Sequence, residues 1–132
     1  MQNNKIYSSN HLKIFDKIIT KKRLEIVDII NNQIILYNIN EVLDIGTTND
    51  TKNKSSNFIV KNLKNIKNFN SISDQLITSS FFKKNLQKSI TENFSEYEIE
   101  NFKSDLVISN ATIEHVGNYD NHKPMLSNIL FI

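Results

Sequence analysis

The sequence predicts an α/β fold in which a mostly parallel sheet lies between two layers of helices. Segments with helical spacing of apolar residues alternate with short apolar runs, and this order favours parallel strands joined by helices. The length of 132 residues and the hydrophobic fraction of 39% suit a single domain with a moderate core. The chain has only two glycines, and Gly46 directly ends an apolar run, where a tight turn is expected.

The first elements are a helix and a buried strand. Between residues 14 and 30, isoleucines recur with polar residues between them, and this spacing fits an amphipathic helix. Residues 42–45 form a short apolar run that Gly46 ends, which is typical of a buried strand followed by a turn.

A second helix and a second strand follow a polar, turn-rich stretch. Apolar residues at helical spacing predict a helix over 58–66, and Ser56 or Asn57 could cap it. Residues 69–74 are a candidate short strand.

The remaining elements are less regular until the fourth strand. Residues 75–86 can form a helix, and 87–91 a weak third strand, with a short helix or none after it. Residues 105–110 give the clearest later strand, and a loop over 111–123 follows. Pro124 fits the first turn of a final helix.

Polar residues follow three of the predicted strands, at the edge where parallel sheets bind ligands. These candidate site residues are Asp44, Gly46, Thr47 and Thr48 after the first strand, Asp74 after the second, and Asn110, Ala111, Glu114 and His115 after the fourth.

Gly46, Asp74 and His115 each have a structural interpretation beside a functional one. Gly46 would let a nucleoside approach the backbone closely, or it is an ordinary turn glycine. Asp74 can accept hydrogen bonds from two ribose hydroxyls, or it caps a helix. A lone histidine such as His115 is more often structural than catalytic.

Several classes of function are disfavoured. The absence of cysteine excludes disulfides and thiolate metal sites, and the three histidines lack metal-ligand spacing, so no metal is expected. Lysines are dispersed along the chain and the net charge is only +2, which disfavours nucleic-acid binding. The N-terminus has no apolar signal core and no apolar run could span a bilayer, so we expect a cytoplasmic protein without a membrane partner.

Two segments resemble signatures of the class I S-adenosylmethionine-dependent methyltransferases. EVLDIGTTND, at residues 41–50, resembles the first signature, a strand ending in an acid, one residue and a glycine turn. SDLVISNATIEHVG, at residues 104–117, resembles the strand-four signature, and both glycines of the chain fall inside the two matches.

The resemblance implies a Rossmann-like three-layer domain that binds S-adenosylmethionine and transfers its methyl group to a small-molecule acceptor. Residues 1–132 would form one partial methyltransferase domain, with a helical region at 1–38 and a cofactor-binding half at 39–132. Its sheet would have about four strands in the order 3-2-1-4, and strands five to seven of the family would be absent.

The resemblance also implies roles for the candidate residues. Asp44 and Gly46 match the first signature, and Thr47 and Thr48 occupy its turn. Asp74 matches the acid that holds the ribose, and Glu92 or Asn93 lies near the adenine. Asn110 and Ala111 lie near the methyl group, Glu114 follows in the loop beyond them, and His115 is the candidate general base. Thr48 and Asp50 stand where the family's turn usually has further glycines.

Three other functions compete with this interpretation. A nicotinamide-dependent oxidoreductase would need the GxGxxG turn, but Thr48 and Thr51 stand at the later glycine positions. A non-catalytic, truncated methyltransferase-like fragment with weak or no cofactor binding would be consistent with the missing strands. A nucleic-acid-binding module is disfavoured because the chain lacks a cluster of aromatic residues for base stacking.

Overall fold

The computed structural model describes residues 9–50, 52–110, 112 and 115–132. In chain order the elements are α1 (Ser9–Tyr37), β1 (Glu41–Ile45), α2 (Phe58–Lys61), β2 (Asn68–Ser73), β3 (Lys84–Gln87), α3 (Glu96–Phe102), β4 (Leu106–Ser109) and α4 (Tyr119–Phe131). None of these helices is long and apolar enough to cross a membrane.

The four strands form one parallel sheet in the order β3-β2-β1-β4. Val42 of β1 pairs with Phe69 of β2 on one side and with Leu106 of β4 on the other. The predicted α/β class, the parallel sheet and the order 3-2-1-4 are therefore confirmed. Because the chain crosses from β3 to the far side of β1, the carboxyl ends of β1 and β4 flank a topological switch point.

Each face of the sheet carries its own apolar core, because successive side chains of a strand point to opposite faces. The core on the α1 and α2 side contains Val27, Ile34, Val42, Ile59, Val60, Leu63, Ile77, Phe82 and Ile108. The core on the α3 and α4 side contains Leu43, Ile45, Ile72, Ile90, Phe102, Met125 and Ile132. The helices thus cover both faces, as predicted.

The region after β2 corrects two predictions. Residues 75–86 contain no helix, and the third strand lies at Lys84–Gln87, not at 87–91. The Phe81 ring stacks on the Phe69 ring at a centroid distance of 4.6 Å, and the Lys83 amide donates to the Phe69 carbonyl at 2.7 Å. These contacts with β2 require an extended chain, so tertiary packing overrides the helical spacing.

The helix predicted over 58–66 is also wrong in length, since α2 ends at Lys61. Asn65 adopts a left-handed φ of 62°, which turns the chain towards β2. The expected side-chain cap is absent: Asn57 has a left-handed φ of 54° and makes no capping bond, while the Ser56 hydroxyl donates to Asp50 Oδ2 at 3.2 Å. Asn57 instead bonds to Thr48, and Ser56 to Asp50, both in the polar stretch that follows β1.

The last two helices begin where polar side chains cap them. Ser95 and Glu98 form a capping box at the start of α3, which explains a seven-residue helix where the sequence predicts a short one or none. The Asn118 side chain accepts from the Asp120 amide at 3.1 Å and starts α4 at Tyr119. Pro124 therefore lies in the second turn of α4, and its predicted place in the first turn is wrong.

Candidate functional site

A cleft of about 360 Å³ lies at the carboxyl ends of the strands. Segments after all four strands contribute to its lining. The lining residues are Ile45, Gly46, Thr47, Thr48, Ile72, Ser73, Asp74, Gln75, Lys88, Ser89, Ile90, Thr91, Thr112, His115 and Val116. The sheet topology thus brings together residues from both segments that resemble the methyltransferase signatures, at the edge where parallel sheets bind ligands.

Gly46 is the first residue of the turn after β1 and lines the cleft. Its φ is +85°, and its amide donates to the Ile72 carbonyl at 2.9 Å. A Cβ at this position would collide with the side chain of Thr112, whose hydroxyl donates to the Ile45 carbonyl at 2.8 Å. The packing of the chain against itself is thus sufficient reason for a glycine here.

Thr47, which lines the cleft, and Asp44, which lies beneath it, form a buried polar pair. The Thr47 hydroxyl donates to Asp44 Oδ2 at 2.7 Å, and the Thr47 carbonyl accepts from the Ser73 hydroxyl at 2.7 Å. Asp44 is buried and does not line the cleft. Burial raises its pKa to about 6, while the hydrogen bond from Thr47 acts in the opposite direction. Asp44 therefore supports the turn from below.

Thr48 is fixed by Asn57, a residue that the site prediction did not include. The Thr48 amide donates to Asn57 Oδ1 at 3.1 Å, and the Thr48 carbonyl accepts from Asn57 Nδ2 at 2.8 Å. This two-point contact joins the turn after β1 to the start of α2.

Asp74 lies directly after β2 and is exposed to the cleft. Among the described residues, the closest polar side-chain contact of its carboxylate is with the Ser73 hydroxyl at 3.4 Å, and that hydroxyl donates its hydrogen to the Thr47 carbonyl. The carboxylate oxygens therefore retain capacity to accept hydrogen bonds from a ligand in the cleft.

Lys88, after β3, brings a cation to the cleft that the sequence reasoning missed. Its ammonium donates to both Glu98 carboxylate oxygens, at 3.0 and 2.8 Å, and lies 4.8 Å from the centre of the Phe94 ring. The bond from Lys88, followed by those from Ser95, lowers the pKa of Glu98 to about 2. The positive charge of Lys88 is thus paired with the carboxylate of Glu98 in α3.

His115 lies at the exposed rim of the cleft, and its amide donates to the Thr112 carbonyl at 2.9 Å. Asn110 is exposed at the end of β4 and does not line the cleft. Ala111 and Glu114 lie outside the described residues. Of the residues predicted after β4, His115 alone is placed in the lining within the part of the chain that the structure describes.

Glu92 and Asn93 are exposed in the loop after β3 and do not line the cleft. Their neighbours Ile90 and Thr91 do. The Asn128 side chain of α4 holds this loop, donating to the Ile90 carbonyl at 2.5 Å and to the Glu92 carbonyl at 2.8 Å.

Four polar residues of the lining were missed for two reasons. Ser73 and Gln75 flank Asp74, and a wider reading of that strand end would have included them. Lys88 and Ser89 follow the third strand, whose predicted position was three residues too late.

Comparison of the chain with protein-family models, with curated proteins and with solved structures found no match. Among the described residues, no cluster of histidine, aspartate and glutamate could hold a metal ion.

Proposed function

We propose that the cleft binds S-adenosylmethionine and that the protein transfers its methyl group to a small-molecule acceptor. One observation carries this proposal: the 46–48 turn, Asp74, and Thr112, His115 and Val116 meet in one cleft at a sheet edge suited to nucleoside ligands. The resemblance of 41–50 and 104–117 to methyltransferase signatures supports the cofactor and the reaction.

The lining residues fit the parts of this cofactor. The Asp74 carboxylate can accept hydrogen bonds from the two ribose hydroxyls, and Ile72 and Ile90 offer an apolar wall to the adenine. Because Glu98 neutralises Lys88, Asp74 is the unpaired charge among the described carboxylates and ammonium groups of the lining. A negative cleft suits S-adenosylmethionine, because its sulfonium and ammonium groups outweigh its one carboxylate and leave it with a net positive charge.

The cofactor would supply an electrophilic methyl group, and the protein would hold the cofactor and the acceptor in the geometry that the transfer requires. Binding both reactants in one geometry can contribute about 7–11 kcal/mol in well-oriented reactions. His115 lies at the rim, where an acceptor would enter, and its imidazole can take a proton from a nucleophile that must lose one. General base catalysis of this kind contributes typically ~10²–10⁴-fold.

The test is formation of S-adenosylhomocysteine from S-adenosylmethionine in the presence of a panel of small O-, N- and C-nucleophiles. We expect turnover with at least one acceptor, and a loss of ~10²-fold or more in His115→Ala when that acceptor must lose a proton. Cofactor affinity, measured in parallel, should be unchanged in this variant. Full turnover in His115→Ala would remove the residue from this role, and no turnover with any acceptor would contradict methyl transfer.

A second candidate, a non-catalytic methyltransferase-like fragment, is favoured by the outer edge of β4. Within the described residues β4 pairs with β1 alone, so its other edge presents unpaired backbone groups. The family's sheet carries its further strands beyond strand four. Under this candidate, the same assay would give no turnover, with weak or absent cofactor binding.

A further inference from the structure

Helix α1 presents a second apolar surface that the sheet does not cover. Val27 and Ile34 face the core and are 3% and 2% exposed. Elsewhere on the same helix, Ile29 and Leu36 are 62% and 68% exposed. Large apolar side chains exposed in this number on one helix indicate an interaction surface.

The exposed residues follow the spacing of a coiled coil. Alternating steps of four and three residues define a second stripe, about a third of a turn around the helix from the core-facing residues. The second stripe consists of Phe15, Ile19, Lys22, Ile26, Ile29, Gln33 and Leu36. Its five apolar members are all exposed by 47% or more. This spacing is typical of a helix that packs lengthwise against another helix.

The two polar residues of the second stripe, Lys22 and Gln33, indicate which helix packs against α1. Lys22 lies four residues before Ile26, and Gln33 lies four residues after Ile29. We propose that α1 pairs in antiparallel orientation with α1 of a second copy of this chain. In a two-fold symmetric interface, if residue i contacts j of the partner, j contacts i of the partner. Ile26 then faces the partner's Ile29, and Lys22 faces the partner's Gln33.

The full set of layers is self-complementary. The layers are Ile19 with the partner's Leu36, Lys22 with the partner's Gln33, Ile26 with the partner's Ile29, and their three symmetry mates. The Lys22 ammonium is bound to Glu25 at 2.7 Å within its own helix and keeps donors for the amide oxygen of the partner's Gln33. Lys22 can therefore donate to the side-chain oxygen of the partner's Gln33 across the interface.

Other arrangements of two copies bury polar groups against apolar ones or against like charge. A parallel, in-register pair would place Lys22 against the partner's Lys22. An antiparallel pair shifted by one heptad would place Lys22 against the partner's Ile26. A polar residue in a coiled-coil stripe specifies register in this way, because mismatching it is costly.

A groove of about 500 Å³ beside the second stripe extends the interface. Asp16, Ile19 and Arg23 of α1 line one wall, and Phe58 lies on the other. Since Ile19 also belongs to the second stripe, the end of the partner's helix, at Leu36 and Tyr37, reaches the mouth of this groove. Tyr37 is 69% exposed in the single chain, so the pairing gives this ring a surface to pack on.

Sedimentation equilibrium of the full chain tests the pairing. The wild type should have twice the single-chain mass of 15.3 kDa. Replacing both Ile26 and Ile29 with Glu puts like charges together in the central layers and should weaken association by at least ~10²-fold, giving the single-chain mass. Combining Ile26→Lys with Ile29→Glu sets opposite charges face to face only in the antiparallel register, and this variant should associate more tightly than the one with two glutamates.

The matched control is Ile35→Glu, since Ile35 is 67% exposed but lies outside the second stripe, and this variant should remain dimeric. Circular dichroism should show the same helix content in every variant, because the substituted side chains are exposed in the single chain. A wild type of single-chain mass would overturn the proposal. So would a dimer that survives the two glutamates, or a lysine–glutamate combination that associates no more tightly than the two-glutamate variant.

Discussion

Gly46→Ala is expected to lower the free energy of unfolding by about 2–5 kcal/mol. A left-handed φ of +85° costs a residue with a Cβ about 1–2 kcal/mol, and forcing a methyl group into a filled space costs about 1–3 kcal/mol more. The colliding group is the Thr112 side chain, which is itself bonded to the Ile45 carbonyl and cannot move without losing that bond. Urea unfolding followed by circular dichroism measures the loss.

Two further variants separate the free-energy cost of the left-handed backbone from the cost of the collision with Thr112. Gly117→Ala has a similar φ of +95°, but its Cβ would meet only the far end of the Asn121 side chain, so we expect a smaller loss, of about 1–2 kcal/mol. Gly46→Ala should also cost less in a Thr112→Ala background than in the wild type. Equal losses at the two glycines, or the same Gly46→Ala cost in both backgrounds, would show that Thr112 is not the reason for the glycine.

The second large effect is a pH dependence that originates at Asp44. Its pKa is about 6 in the folded protein, above the ordinary value of 3.8, because burial disfavours the charged carboxylate. A raised pKa means that the folded state binds the proton more tightly. The contribution of this group to stability is therefore fully present below about pH 4 and is lost as the pH rises through about 6. The loss amounts to about 3 kcal/mol by pH 7.

Asp44→Asn should remove this dependence while keeping an oxygen that can accept from Thr47. The measurement is urea unfolding of both proteins between about pH 4 and pH 7, taken as the difference between them. Groups such as Glu98, whose pKa is held at about 2, titrate in both proteins and cancel. We expect the free energy of unfolding of the variant, relative to that of the wild type, to increase as the pH rises through this range. Parallel stability curves would contradict a buried, titrating Asp44.

Strands with apolar runs could be predicted from the sequence, and the polar edge strand could not. Residues 42–45 and 105–110 are apolar enough to indicate β1 and β4 directly. The third strand, Lys84–Gln87, has Leu86 as its single apolar residue and is defined by pairing with β2. The stacking of Phe81 on Phe69 likewise depends on a neighbour distant in sequence, so local spacing alone predicted a helix there.

The same limit applies to the cleft. Gly46, Thr48 and Asp74 directly follow strands that the sequence predicts correctly, so the rule about strand ends was enough to find them. Lys88 required the true end of β3, and the contact of Thr112 with Gly46 joins residues brought together only by the pairing of β1 with β4. Asp44 differs from these residues in the opposite way: it was predicted at the site but does not line the cleft, because its side chain is buried beneath the turn.

The most direct test of cofactor binding is titration calorimetry of S-adenosylhomocysteine into the full chain, with Asp74→Ala beside it. Asp28→Ala is the matched control, since Asp28 is also an exposed carboxylate and lies on α1, outside the lining of the cleft. We expect saturable binding that Asp74→Ala weakens by ~10–100-fold, through the loss of hydrogen bonds to a charged acceptor, and that Asp28→Ala leaves unchanged. A folded chain that binds no S-adenosylhomocysteine, or that binds it equally well without the Asp74 carboxylate, would contradict the proposed cofactor site.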